Sequence, residues 1–131
     1  MTRTLITALA LFAVSLNPAH ANSPDEACSA LMEARGHLVN MLGSTDRATQ
    51  DELKAKVHAA SARLDGILNQ IAAGEAARVS AFRPVWEDFK RTRETEIIPL
   101  IYAGKNADAR AIATGIQAER MSRMRAAMGC K

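Results

Sequence analysis

Six apolar residues, Leu53, Val57, Ala60, Leu64, Ile67 and Ile71, recur at alternating steps of four and three. That spacing averages 3.5 residues, so all six fall on one stripe of an α-helix, the seam that two long packed helices require. A chain carrying such a seam has to bring other helices to cover it. No segment alternates with period two among β-branched residues, so no strand competes.

Three further segments supply the partners. Ser23-Pro24-Asp25-Glu26 is a helix start, with Ser23 as cap, Pro24 at the first helical position and Glu26 completing a capping box. The helix it opens runs to about Leu42, with Cys28, Leu31, Leu38 and Leu42 on one stripe and Met32, Val39 and Met41 beside it; Gly43 stops it. Ser44-Thr45-Asp46 begins the second helix, and Gly74 interrupts its seam. A third helix is predicted over about Glu75 to Ala103, through Val79, Phe82, Trp86 and Phe89, with a kink or late start at Pro84 and Pro99. After the turn Gly104-Lys105-Asn106, with Asn106 as cap, the fourth runs to about Met128 with Ile112, Ile116, Met121, Met124 and Met128 on its apolar side. Four helices with short connections predict an all-α fold, an up-down-up-down antiparallel four-helix bundle.

The chain begins like an exported protein. Arg3, the apolar run Leu5 to Leu16, and small residues at Ala19 and Ala21 make a signal peptide over 1–21, cut before Asn22. The run is too short for a membrane span. The mature protein is therefore expected to be one domain over 22–131, periplasmic or secreted, soluble and without a membrane span. Losing Arg3 takes the formal net charge from +3 to +2. So small a charge, mixed evenly with acids, argues against nucleic acid. An oxidising compartment predicts a bridge between Cys28 and Cys130, closing a loop of about 100 residues; an intermolecular bridge or free thiols are the rivals. Folding the helices back leaves Cys130 about two turns beyond Cys28, so the bridge needs the tail to turn at Gly129 or the helices to be staggered.

Several motifs resemble a known pattern: Ala34-Arg35-Gly36-His37-Leu38, Gly43-Ser44-Thr45-Asp46-Arg47 and Ala62-Arg63-Leu64-Asp65, then Val85-Trp86-Glu87-Asp88-Phe89-Lys90-Arg91-Thr92-Arg93-Glu94 and Ile97-Ile98-Pro99-Leu100-Ile101-Tyr102-Ala103-Gly104. Together they resemble the periplasmic four-helix-bundle sensor domain of methyl-accepting chemotaxis receptors. The resemblance covers nearly the whole mature chain. It implies a ligand-binding bundle and, by analogy alone, a homodimer. Family members sit between two membrane helices and feed a cytoplasmic signalling region. Here a cleavable leader replaces the first helix and no second follows, so a stand-alone module without transmembrane signalling is expected.

No cofactor is expected. Covalent heme needs Cys-x-x-Cys-His, and neither cysteine has it. Non-covalent heme wants two facing ligands, yet folding the second helix on the first leaves His58 and His37 offset by roughly six residues, about 9 Å. The methionines read as core filler. No nucleophile motif, phosphate loop or metal-spaced acid cluster appears, so neither catalysis nor a metal site is expected.

One layer carries chemistry. Arg35 occupies the seam of the first helix, and Arg93 that of the third, four after Phe89. Reflecting the chain through its turns brings Arg35, Arg93 and Thr114 to similar heights, with Gly36 and Gly115. Two inward arginines beside glycines make a small anion pocket. In the competing reading the glycines let the first and fourth helices approach closely, and the arginines reach outward to Glu33, Glu94 or Glu96. The function expected is non-enzymatic: binding of a small molecule, with anions among the candidates, or docking on another envelope protein. Two other classes compete. A periplasmic stress or chaperone-like protein is suggested by Ala113-Thr114-Gly115-Ile116-Gln117, which partly matches a Leu-Thr-x-x-Gln signature. The other is an electron-transfer bundle with non-covalent heme.

Overall fold

Ser23 opens the first helix, its Oγ accepting from the Glu26 N–H at 3.3 Å with Pro24 next in line. The computed structural model describes residues 23–131. The signal peptide expected over 1–21 lies outside them. The described residues are helical throughout, with no strand among them: α1 (Pro24–Leu42), α2 (Arg47–Ile71), α3 (Ala76–Thr92), a π-helical turn (Arg93–Ile97), α4 (Ile98–Tyr102), α5 (Asn106–Thr114) and α6 (Ile116–Met128). α3, the π turn and α4 follow without interruption as one long helix. α5 and α6 make another, broken at Gly115, so the described residues form four helices. Asp46 starts α2 by accepting from Thr49 N at 2.9 Å and Oγ1 at 2.8 Å, which holds its carboxyl below the ordinary range.

The seam of α2 is buried as its spacing predicts: Val57, Ala60, Leu64, Ile67 and Ile71 are inside and Leu53 is half-buried. α1 packs mainly on α2, and α3 on α6. Bonds between α2 and the long third helix pair rising with falling positions: Asp51 with Tyr102, His58 with Glu94, Asp65 with Trp86, Asn69 with Arg83. The ends of the first and fourth helices meet twice. Cys28 is bonded to Cys130, with Cα atoms 5.7 Å apart. At the other end the Asn106 amide donates to Leu42 O and Ser44 O rather than capping its own helix.

Gly129 supplies the turn that the bridge requires. Its φ of 72° is left-handed, and Cys130 N–H reaches back to Arg125 O, a Schellman ending that swings the tail toward α1.

The core is divided. One apolar cluster, including Leu31, Leu64, Trp86 and Met124, lies toward the disulfide; a second, with Leu38, Val57, Ile97 and Ile101, lies toward Asn106. Between them stand buried polar groups: Ser61 on α2, Thr92 and Arg93 on the third helix, Gln117 on the fourth. Both irregularities of the helices fall at this layer. In the π turn Ile98 N–H bonds Arg93 O, five residues back. That extra residue shifts the register. A continued heptad after Arg93 would bury Glu96 and Leu100, whereas the wide turn buries Ile97 and Ile101 completely. Pro99 contributes, since it offers no N–H and crowds the carbonyl of Thr95, within the turn.

Gly115 interrupts the fourth helix, and Ile116, expected on its apolar side, is 44% exposed. A Cβ at Gly115 would stand 3.0 Å from Ala111 O, backbone that cannot yield cheaply. At Gly36, by contrast, a Cβ meets nothing within 4 Å, so this glycine does not serve close helix approach. Gly36→Ala, in an exposed helix interior, is expected to stabilise by about 0.5–1 kcal/mol. Gly115→Ala is expected to destabilise by about 1 kcal/mol or more. Urea melts of the two variants check this, and equal behaviour would contradict it.

Candidate functional site

A groove between α1 and α5–α6 has a volume of about 340 Å³. It exists because these helices are tied at their ends and touch little between. Met32, Leu38 and Val39 form one wall; Ala113, Ala118 and Met121 form the other; the Phe89 ring of α3 lies behind them. Met32 and Val39, expected beside the apolar stripe of the first helix, are 39% and 45% exposed. The polar lining groups are Arg35, Thr114, Gln117, Ser122 and Arg125, and no carboxylate joins them.

The sequence-derived trio is divided by the packing. Arg35 and Thr114 share the groove, whereas Arg93 is not among its lining groups. Arg35 is exposed and makes no hydrogen bond or ion pair with the described residues; Glu33 pairs with Arg63 at 2.7 Å instead. Thr114 Oγ1 donates to Arg110 O within its own helix.

Arg93 is 3% exposed and turned toward α2. Its Nη1 donates to Ser61 Oγ at 2.8 Å, while Nε and Nη2 both reach Glu94 Oε1 at 2.9 Å. Burial lowers its pKa, and Glu94 works against that. The Ser61 hydroxyl in turn donates to Val57 O at 2.8 Å, so Ser61 both accepts from Arg93 and donates within its own helix. His58 Nε2 contacts the same Glu94 oxygen at 2.8 Å, and His37 lies 3.8 Å from Glu33. Arg93 thus pairs with Glu94, an acid the outward reading named, but from inside the bundle: it is a buried cation and not a side chain reaching out to solvent.

Sequence reasoning missed Arg125. Its Nη2 donates to Lys131 O at 2.8 Å, but its Nε is closed off from solvent with no hydrogen-bond partner. A buried donor left in this condition is costly; being sealed, the Arg125 Nε faces protein, and other atoms of the side chain line the groove. The available signal was Ser122-x-x-Arg125, two polar groups one turn apart that line the groove between seam positions Met121 and Met128.

An aromatic relay connects the groove to the interior. Phe89 stacks on Trp86 with centroids 5.8 Å apart, and Trp86 Nε1 donates to Asp65 Oδ1 at 2.7 Å. Gln117, also in the groove, donates to Phe89 O at 2.9 Å. Lys90 bonds both oxygens of Asp65 at 3.1 Å.

Among the described residues no group of three or more His, Cys, Asp or Glu side chains is placed to hold a metal ion. No described helix is long and apolar enough to cross a membrane. Comparison with protein-family models, curated proteins and solved structures finds no match.

Proposed function

We propose that this chain is an exported, non-enzymatic up-down-up-down bundle of the chemoreceptor-sensor type that binds a small anionic solute between its first and fourth helices. The carrying observation is the electrostatic one-sidedness of the groove: Arg35 without a partner among the described residues, Arg125 across from it, and no carboxylate in the lining. A concavity of this size and composition suits a small ligand. The opposed order of the cross-helix bonds favours the antiparallel arrangement. The Asp65–Trp86 bond, which joins two motifs carrying the chemoreceptor resemblance, favours that ancestry. A disulfide across the ends suits an oxidising compartment such as the periplasm.

The mechanism is differential binding. An anion held by the fourth helix and steered by Arg35 on the first stabilises the helix spacing that fits it, and Phe89 carries the change toward Trp86. Equilibrium dialysis against a panel of small carboxylates and sulfonates is expected to find binding, weakened about tenfold or more when Arg125 is replaced by Gln, because a charge-assisted hydrogen bond is lost. Absence of binding across the panel, or affinities indifferent to Arg35→Gln and Arg125→Gln together, would remove the reading.

A further inference from the structure

The geometry points to an amphiphilic monoanion as the occupant: one charged head on an apolar body, in the size class of octanoate. This rests on the reading above and narrows it. The polar and apolar groups of the groove are not mixed evenly. Ser122 and Arg125 lie one helical turn apart on α6. Neither the Ser122 hydroxyl nor the Arg125 Nη1 bonds a described group. Two donors on one face suit a single carboxylate or sulfonate head. Most of the remaining wall is apolar, and Met32, Phe89 and Met121 are its largest members. Two of these are methionines, whose flexible thioethers adapt to a chain or ring of varied outline.

Net charge complementarity selects the sign, and the apolar wall selects the shape. A short dianion has nothing to gain there, because its second carboxylate would be desolvated against Phe89 and Met121. A neutral amphiphile would leave the two cations of the groove, Arg35 and Arg125, without a counter-charge. Arg35, exposed at the rim and on the opposite helix, draws the head in without fixing it, so its contribution is sensitive to salt.

The protein carries its own reporter. Its single tryptophan, Trp86, is fully buried and stacks on Phe89, so a body seated against Phe89 alters the indole without touching it.

The test uses the full oxidised chain, with Trp86 emission and calorimetry followed against octanoate, butyrate, succinate and octanol. Each buried methylene is worth about a fourfold gain in affinity, so with partial burial octanoate should bind about thirtyfold more tightly than butyrate. Succinate should fall with butyrate, and octanol should bind about tenfold or more below octanoate. Arg125→Gln should lose about tenfold for octanoate while its circular dichroism remains that of the folded chain. Ala118→Trp, an exposed lining position, should fill the groove and abolish binding while the fold persists. Butyrate or succinate matching octanoate would overturn the amphiphile and leave the small-anion reading standing. Octanol matching octanoate, or full affinity in Arg125→Gln, would overturn the assigned head site. Failure of every anion would overturn both readings.

Discussion

Opening the Cys28–Cys130 bond, by reduction or by paired serine substitutions, is expected to lower the melting temperature by about 15–25 °C. The bridge closes a loop of sequence separation 102. In the chain-entropy account such a loop is worth about 4–5 kcal/mol. A domain of this size shifts by about 4 °C or more per kcal/mol. Local structure sharpens the expectation. The first and fourth helices are separated along their middle by the groove, so the disulfide is their principal tie at that end. Beyond it, the last turn of α6 is held by the Gly129 ending, the Arg78–Met128 O bond and the buried Met128 side chain. Hydrogen exchange should therefore show protection lost first in the final turn of α6 and the first turn of α1. A shift of only a few degrees would mean that packing alone holds the ends.

Trp86→Ala is the point substitution expected to cost most, about 3–5 kcal/mol. Trp86 is fully buried in the cluster toward the disulfide and packs between Phe82 and Phe89. Its removal leaves a void that neighbouring backbone cannot close. It also deprives Asp65 of its shortest hydrogen bond, leaving Lys90 as the remaining partner. Trp86→Phe keeps most of the stacking and loses the N–H, so about 1 kcal/mol is expected from the bond itself. Small domains have only about 5–15 kcal/mol in total, so the alanine variant should unfold at much lower urea, as followed by circular dichroism. Similar midpoints for the alanine and phenylalanine variants would show that the indole is not a central packing element.

The regular parts of this fold were legible because they follow local rules. Ser23, Pro24 and Gly43 delimit α1 where capping chemistry places them, and the α2 seam is buried as its period requires. The cysteine pairing followed from the compartment expected of an exported chain, and the turn at Gly129 supplies the geometry that helix arithmetic alone lacked. What was not legible depends on irregular backbone. A strict heptad through Phe89 and Arg93 runs on to Glu96, a charge where an apolar residue belongs. Ile97 and Ile98 stand one step late, and that mismatch was the trace of the π turn. Gly115 likewise turns Ile116 outward, against its place in the pattern. The candidate site was half legible. Height arithmetic put Arg35, Arg93 and Thr114 in one layer, and Arg35 and Thr114 do line one groove. It could not show that Ser61, a polar residue between Val57 and Leu64, draws Arg93 to the other side. Arg125 escaped because Ser122-x-x-Arg125 shows two polar groups one turn apart, whereas which face of α6 lines the groove depends on how α1 and α6 stand apart.

Methyl resonances of the methionines test the central claim most directly. Met32 and Met121 line the groove, while Met41 lies in the cluster at the far end. With ¹³C-methyl-methionine protein titrated with octanoate, Met32 and Met121 should shift together and saturably, Met41 should remain in place, and Arg125→Gln should move the titration to higher concentration. Shifts centred on Met41, or no saturable change at Met32 and Met121, would contradict a binding site between the first and fourth helices.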